Sequence, residues 1–171
     1  MEGLVNQILF DFRRFKVYSH FMKSCEIRKL AEEYGIILVY LFGSQAEKGA
    51  KYLQGAKIRP EEFSDLDVAV AFENPPSNAV KIYGRLYKDL SEVFDCFSVD
   101  LIFTHEVDTL FQYEIIKGMR IFEKDASSAD EFEERIMKMA EDLAFKKRIL
   151  NKEILEAIKD GYFEFGYNPS S

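Results

Sequence analysis

The run Ile36-Ile37-Leu38-Val39-Tyr40-Leu41-Phe42 contains no charged residue and no apolar–polar alternation. A strand with one wet face alternates apolar and polar side chains, whereas an unbroken β-branched and aromatic run needs cover on both faces. The chain must therefore build a sheet with helices packed on it, not an open one-sided meander. The sequence that follows supplies those parts. Leu66-Asp67-Val68-Ala69-Val70-Ala71-Phe72 reads as a second strand, stopped by Asn74-Pro75-Pro76-Ser77. Val80, Tyr83, Leu86, Leu90 and Phe94 recur at helical spacing. Residues 97–103 give a third strand, interrupted only by Ser98 and Asp100. A helix is expected over 104–117, with Val107, Leu110, Phe111 and Ile115 on one face, then an edge strand over 119–122.

The flanking segments complete an α/β (α+β) domain: a small mixed sheet of about four strands flanked by helices, with a long C-terminal helix. A short helix over 25–34 ends before Gly35, a C-cap residue. After Gly43-Ser44 a helix-like piece runs from Gln45 to Lys48, and residues 50–63, with Gly55 and Pro60, read as a loop or flap. Ser128 with Glu131 forms a capping-box pattern that opens the long helix, with Phe132, Ile136, Met139, Leu143 and Leu150 on one face. Residues 3–22 place Val5, Ile8, Leu9, Phe12 and Phe15 at helical spacing beside Arg13, Arg14 and Lys16. They read as a helix packed on the domain or on a second copy of the chain, and they are the candidate homodimer surface. Residues 1–25 are thus expected as an N-terminal helical extension and 26–171 as the domain, its terminal helix starting at about 128.

Charge and hydropathy limit the function classes. The 23 basic and 30 acidic residues leave a net charge of −7, which argues against a nucleic-acid-coating protein. No apolar stretch approaches the roughly 18 residues of a membrane-spanning helix. The N-terminus lacks the basic start and cleavage site of a signal peptide, so a cytoplasmic location is expected. Cys25 and Cys96 form no CxxC pattern and are expected as ordinary buried thiols in a reducing compartment.

Asp65 and Asp67 stand two apart at the head of a strand, so both carboxylates point to one face. Close carboxylates repel unless a cation sits between them, and Mg²⁺ prefers such hard oxygen ligands together with substrate phosphates. Asp100 lies between Val99 and Leu101, where burial of a lone carboxylate is costly unless it is paired or metal-bound. If the second and third strands are neighbours, three carboxylates converge into a site for two metal ions and a transferring phosphoryl or nucleotidyl group. Gly43 and Ser44, ending a buried strand before a helix, offer backbone N–H groups and a hydroxyl to phosphate oxygens.

Gly43-Ser44, then Ser64-Asp65-Leu66-Asp67-Val68-Ala69-Val70, then Val99-Asp100-Leu101 together resemble the polymerase-β-like nucleotidyltransferase superfamily. Within it the chain is similar to the minimal nucleotidyltransferases, the MntA-type antitoxins of HEPN/MNT toxin–antitoxin pairs. Phe111 to Asp125, Phe132-Glu133-Glu134-Arg135 and Leu143 to Lys147 extend the likeness, which spans residues 30–158. The resemblance implies that Asp65 and Asp67 hold Mg²⁺ and through it the triphosphate of an NTP. It implies that Asp100 completes a second metal site and helps activate the acceptor, and that Gly43 and Ser44, with Ser64 nearby, bind the nucleotide. The implied donor is ATP and the implied acceptor a tyrosine of a HEPN-type toxin. Transfer to a small molecule or an RNA end, or a non-catalytic antitoxin that masks its partner, are the alternatives. The chain departs from the family in two places. Residues 45–64 make a longer connection between Gly-Ser and Asp-x-Asp. Gln45, Glu47 and Lys48 stand where the family often has arginine. Lys48 and Lys51 are the candidate replacements for that positive charge.

Overall fold

The computed structural model describes residues 23–161. The helix expected over 3–22 and the aromatic tail residues Tyr162, Phe163, Phe165 and Tyr167 lie outside the described residues. In chain order the elements are α1 (residues 23–34), β1 (Ile36–Phe42), α2 (Ala46–Leu53), β2 (Leu66–Phe72) and α3 (Ala79–Val93). They continue with β3 (Val99–Phe103), a 3₁₀ turn (Thr104–Glu106), α4 (Thr109–Ile116), β4 (Met119–Glu123) and α5 (Ala126–Lys159).

The four strands form one mixed sheet in the order β3-β2-β1-β4. β1 lies antiparallel to both β2 and β4, while β2 and β3 run parallel. β1, an unbroken apolar run, and β2, apolar from Val68 to Phe72, are thus the central strands, and both faces are covered as their composition requires. On one face Val39, Leu41, Leu66, Val68, Val70 and Phe72 pack with Ile27 and Ala31 of α1, Ala46 and Leu53 of α2, and Leu86 and Leu90 of α3. On the other, Leu38, Tyr40, Phe42, Ala69 and Ala71 pack with Ile115 of α4 and Ala129 of α5. Tyr40 carries a polar tip into this second core. Its hydroxyl donates to Glu133 Oε1 at 2.7 Å, and the same oxygen accepts from Arg120 at 3.0 Å. That network ties α5 to β1 and β4, and burial together with Glu133 pushes the phenol above its ordinary pKa.

Five local expectations change. The helix after Gly43-Ser44 does not stop at Lys48 but runs to Leu53, so the loop begins later than residue 50. Ala46, Gly49, Ala50 and Leu53 are its buried stripe. Gly49 lies inside the helix as a contact residue: a Cβ there would stand 2.7 Å from Leu66 Cδ1 and 2.9 Å from Leu41 Cδ1. The helix expected over 104–117 is interrupted, because Asp108 caps α4 by accepting from the Phe111 amide at 2.9 Å. Gln112 Nε2 donates to the carbonyls of Thr104 and Val107, fixing the turn before it. β3 starts at Val99 because Phe97 closes a turn onto the Phe94 carbonyl. α5 opens at Ala126, with Asp125 accepting from the Ser128 amide at 2.8 Å, so Ser128 lies inside the first turn and is not the cap. Cys25 is half-buried and Cys96 exposed, where both were expected buried.

The buried stripe of α5, Ala129, Ile136 and Ala140, continues along the same azimuth through Leu143, Leu150, Ile154 and Ile158. These later residues are exposed. Among the described residues, no helix is long and apolar enough to cross a membrane.

Candidate active site

The end of β1 and the starts of β2, β3 and β4 meet at one end of the sheet. β1 leads there into Gly43-Ser44, and β2 follows Ser64-Asp65. The register sets Asp67 against Phe42 on one side and against Asp100 on the other. Side-chain alternation carries Asp65, Asp67 and Asp100 to the face on which α4 and α5 pack. Those helices cover the β1–β4 side and leave the β2–β3 corner open. Asp67 is accordingly half-buried, while Asp65 and Asp100 are exposed. Asp100 therefore bears no cost of burial: β3 is the edge of the sheet, and its carboxylate faces out.

Burial raises the pKa of the Asp67 carboxyl, and the charges of Asp100 and Asp65 raise it further. Among the described residues, no lysine or arginine pairs with any of the three carboxylates. They sense one another electrostatically. Yet among the described residues no three His, Cys, Asp or Glu side chains are gathered closely enough to hold a metal ion as they stand. The donor set suits a hard divalent cation: oxygen ligands with uncompensated negative charge at a solvent-open corner.

Gly43 closes the site on the β1 side. Its φ is +70°, and a Cβ there would stand 2.1 Å from Asp67 Oδ2. Only glycine leaves room for that carboxylate while taking the left-handed turn into α2. Ser44 Oγ lies 2.9 Å from Ser64 Oγ, so the two serines read from the sequence meet across the turn.

Beside Gly43 and Ser44 opens a cleft of about 590 Å³, bounded by α2 and by the α4–β4 turn. Glu47, Lys48 and Lys51 line it from α2, and Glu114, Lys117 and Met119 line it from the opposite wall. Gln45 does not. It is fully buried, and neither of its amide atoms finds a hydrogen-bond partner among the described residues. Of the positions where the family often has arginine, Glu47 and Lys48 thus reach the cleft and Gln45 turns inward. Sequence reasoning missed Lys117 and Glu114. Their only signal was a lysine directly before Gly118 at a helix–strand junction.

Near the end of the loop over 54–65, Phe63 is 99% exposed and has φ +71°. A left-handed conformation costs a non-glycine residue roughly 1–2 kcal/mol. Phe63→Gly loses no packing and should raise stability by about 0.5–1 kcal/mol once glycine's extra unfolded-state entropy is subtracted. That is a melting-temperature gain of about 1–4 °C for a domain of this size. Phe63→Ala, which keeps the strain, should show no such gain. Equal melting temperatures for the two variants would contradict the strain.

Residues 26–127 match the family described as Polymerase beta, Nucleotidyltransferase. No curated protein matches the chain. Among solved structures, the chain aligns with a crystal structure of a toxin–antitoxin MntA-HpeT mutant at a TM-score of 0.57 and 18% identity, covering 77% of this chain and 98% of the other. A toxin–antitoxin crystal structure with AMP-PNP aligns at 0.57 and 19% identity, with coverages of 77% and 98%. A structure of tri-AMPylated Shewanella oneidensis HEPN toxin in complex with MNT antitoxin aligns at 0.54 and 19% identity, with coverages of 80% and 98%. Likeness at these identities establishes a shared fold.

Proposed function

The chain belongs to the polymerase-β nucleotidyltransferase family, and on that premise we propose that it transfers AMP from ATP to a hydroxyl of a partner protein, a tyrosine of a HEPN-type toxin, as an antitoxin. The observation that carries this reading is the meeting of Gly43, Asp67 and Asp100 across adjacent strands, with Asp65 and Ser44 beside them. Asp65, Asp67 and Asp100 would hold Mg²⁺, two ions in this family's manner. Bound Mg²⁺ would supply Lewis-acid stabilisation of charge on the phosphates. The backbone at Gly43 and the hydroxyls of Ser44 and Ser64 would orient the outer phosphates. The acceptor oxygen then forms its bond to the α-phosphorus as the bond to the bridging oxygen breaks. Pyrophosphate leaves with that oxygen, and the hydroxyl proton passes to Asp100 as general base. A protein acceptor suits the chain better than a small molecule, because the described residues form no second domain over the open β2–β3 corner.

The relatives' partners bear on this chain only by analogy. A structure of similar fold holds AMP-PNP in a toxin–antitoxin crystal, and another contains an AMPylated HEPN toxin with its MNT antitoxin. One observation favours the masking alternative: the exposed stripe Leu143, Leu150, Ile154 and Ile158 on α5 is an apolar surface suited to a partner protein. A single experiment separates the two. The protein is titrated calorimetrically with AMP-PNP with and without Mg²⁺, and α-labelled ATP is then supplied with a HEPN protein encoded beside it. We expect Mg²⁺-dependent binding and label on the HEPN chain. Toxin neutralised without label would leave masking, and absence of nucleotide binding in the assembled pair would overturn the transferase reading.

A further inference from the structure

Residues 54–65 join α2 to β2 and are tied down at three points. Ile58 packs against the core on the α1–α2–α3 face. Glu61 Oε1 accepts from Lys48 Nζ at 2.6 Å. Ser64 Oγ sits 2.9 Å from Ser44 Oγ. The last two tethers grasp residues that line the cleft. We propose that Glu61 is a built-in anionic competitor at this cleft, which the outer phosphates of a nucleoside triphosphate displace from Lys48 on binding. The proposal rests on the nucleotide reading above and adds to it a loop that responds to the ligand.

Charge and connectivity single out Glu61. Three lysines line the cleft, and each is held by a carboxylate. Lys51–Glu47 and Lys117–Glu114 are pairs at helical spacing, present whatever the loop does. Lys48–Glu61 is different, because its carboxylate comes from the loop. The Lys48 side chain is also the least exposed of the three, at 34% against 60% for Lys51 and 53% for Lys117. It is therefore the least hydrated, and the one whose charge a ligand feels most. A triphosphate brings more negative charge than a single carboxylate and several oxygens to receive the ammonium. An exposed ion pair is weak, so its exchange costs a factor of at most about five in affinity. Ser64 precedes Asp65 directly. Exchange at Ser44 and Lys48 thus frees the segment that carries Asp65, and the three carboxylates, apart as they stand, can close when the nucleotide arrives.

The test uses the full chain, Mg²⁺ and AMP-PNP. Glu61→Gln keeps the size and removes the charge, and should bind the analogue about three- to fivefold more tightly. Lys48→Gln should bind at least about tenfold more weakly, since it loses a charge-assisted hydrogen bond. Adding Glu61→Gln to Lys48→Gln should then change nothing. Trypsin gives a second readout, because Lys57 is exposed in the loop. Cleavage after it should quicken when AMP-PNP is added to the unmodified chain, and should be fast without nucleotide in Glu61→Gln. Equal or weaker binding by Glu61→Gln, with the unmodified chain binding normally, overturns the proposal and leaves the nucleotide reading intact. Absence of binding by every variant overturns the nucleotide reading, and the proposal with it.

Discussion

Asp67→Asn is expected to abolish nucleotide transfer and, in the same molecule, to make the fold more stable. The first effect follows from the proposed role. Loss of one of the metal-holding carboxylates removes several kcal/mol of charge stabilisation from the transition state, about a thousandfold or more in rate. The second follows from the direction of the Asp67 pKa, which burial raises first and the charges of Asp100 and Asp65 raise further. A carboxyl whose folded pKa lies above its unfolded value of 3.8 disfavours folding once it ionises. Below that unfolded value it contributes nothing. As pH rises from the unfolded value to the folded pKa its penalty develops, and it is complete above the folded pKa. Asn has the same shape and no charge, so the variant should melt higher at pH 7, and the difference should vanish in acid. Mg²⁺ should raise the melting temperature of the unmodified chain and leave that of Asp67→Asn unmoved, because a ligand stabilises only the state that binds it. Full transfer activity in the variant would remove Asp67 from the chemistry. A variant melting lower at pH 7 would show that its carboxylate serves the fold.

That opposition between stability and use explains which features could be read in advance. The central strands were legible because Ile36–Phe42 and the stretch from Val68 to Phe72 are apolar on both faces, and few other structures accept such runs. The shared face of Asp65 and Asp67 followed from the two-residue period of a strand, and β4 was legible at the edge. What could not be read depended on contacts distant in sequence. Whether Asp100 is buried turns on β3 being the sheet edge, and nothing within Val99–Phe103 states that. Gly49 looks like a helix breaker until the side chains of Leu66 and Leu41 are seen pressing on it. Asp125 and Ser128 are equally good caps by chemistry, and only the backbone decided between them. The Lys48–Glu61 and Ser44–Ser64 tethers join residues with no periodic relation, so a stretch that reads as an irregular loop is held against the candidate site.

Gly43→Ala should damage both stability and transfer, and its damage should be traceable to one neighbour. Two costs combine. The left-handed φ of +70° charges alanine about 1 kcal/mol that glycine escapes. The new methyl would also stand 2.1 Å from Asp67 Oδ2, an overlap relieved only by moving the carboxylate or the strand end, worth about 1–3 kcal/mol. The sum of about 2–4 kcal/mol corresponds to a melting-temperature loss of roughly 5–15 °C for a domain of this size. A displaced Asp67 could no longer act with Asp100, so transfer should be lost as completely as in Asp67→Asn. A double-mutant cycle separates the two costs. In an Asp67→Ala background the overlap has nothing to strike, and Gly43→Ala should then cost only the backbone share. The coupling between the sites should be about 1–3 kcal/mol by thermal or denaturant unfolding. Transfer should not return in the double variant, because the carboxylate is gone. Additive losses, with no coupling, would mean that glycine stands at position 43 for its turn alone. Strong coupling would mean that the turn into α2 and the carboxylate on β2 are shaped to each other, so that the backbone of the proposed phosphate site and the ligand of the proposed metal site form a single constraint.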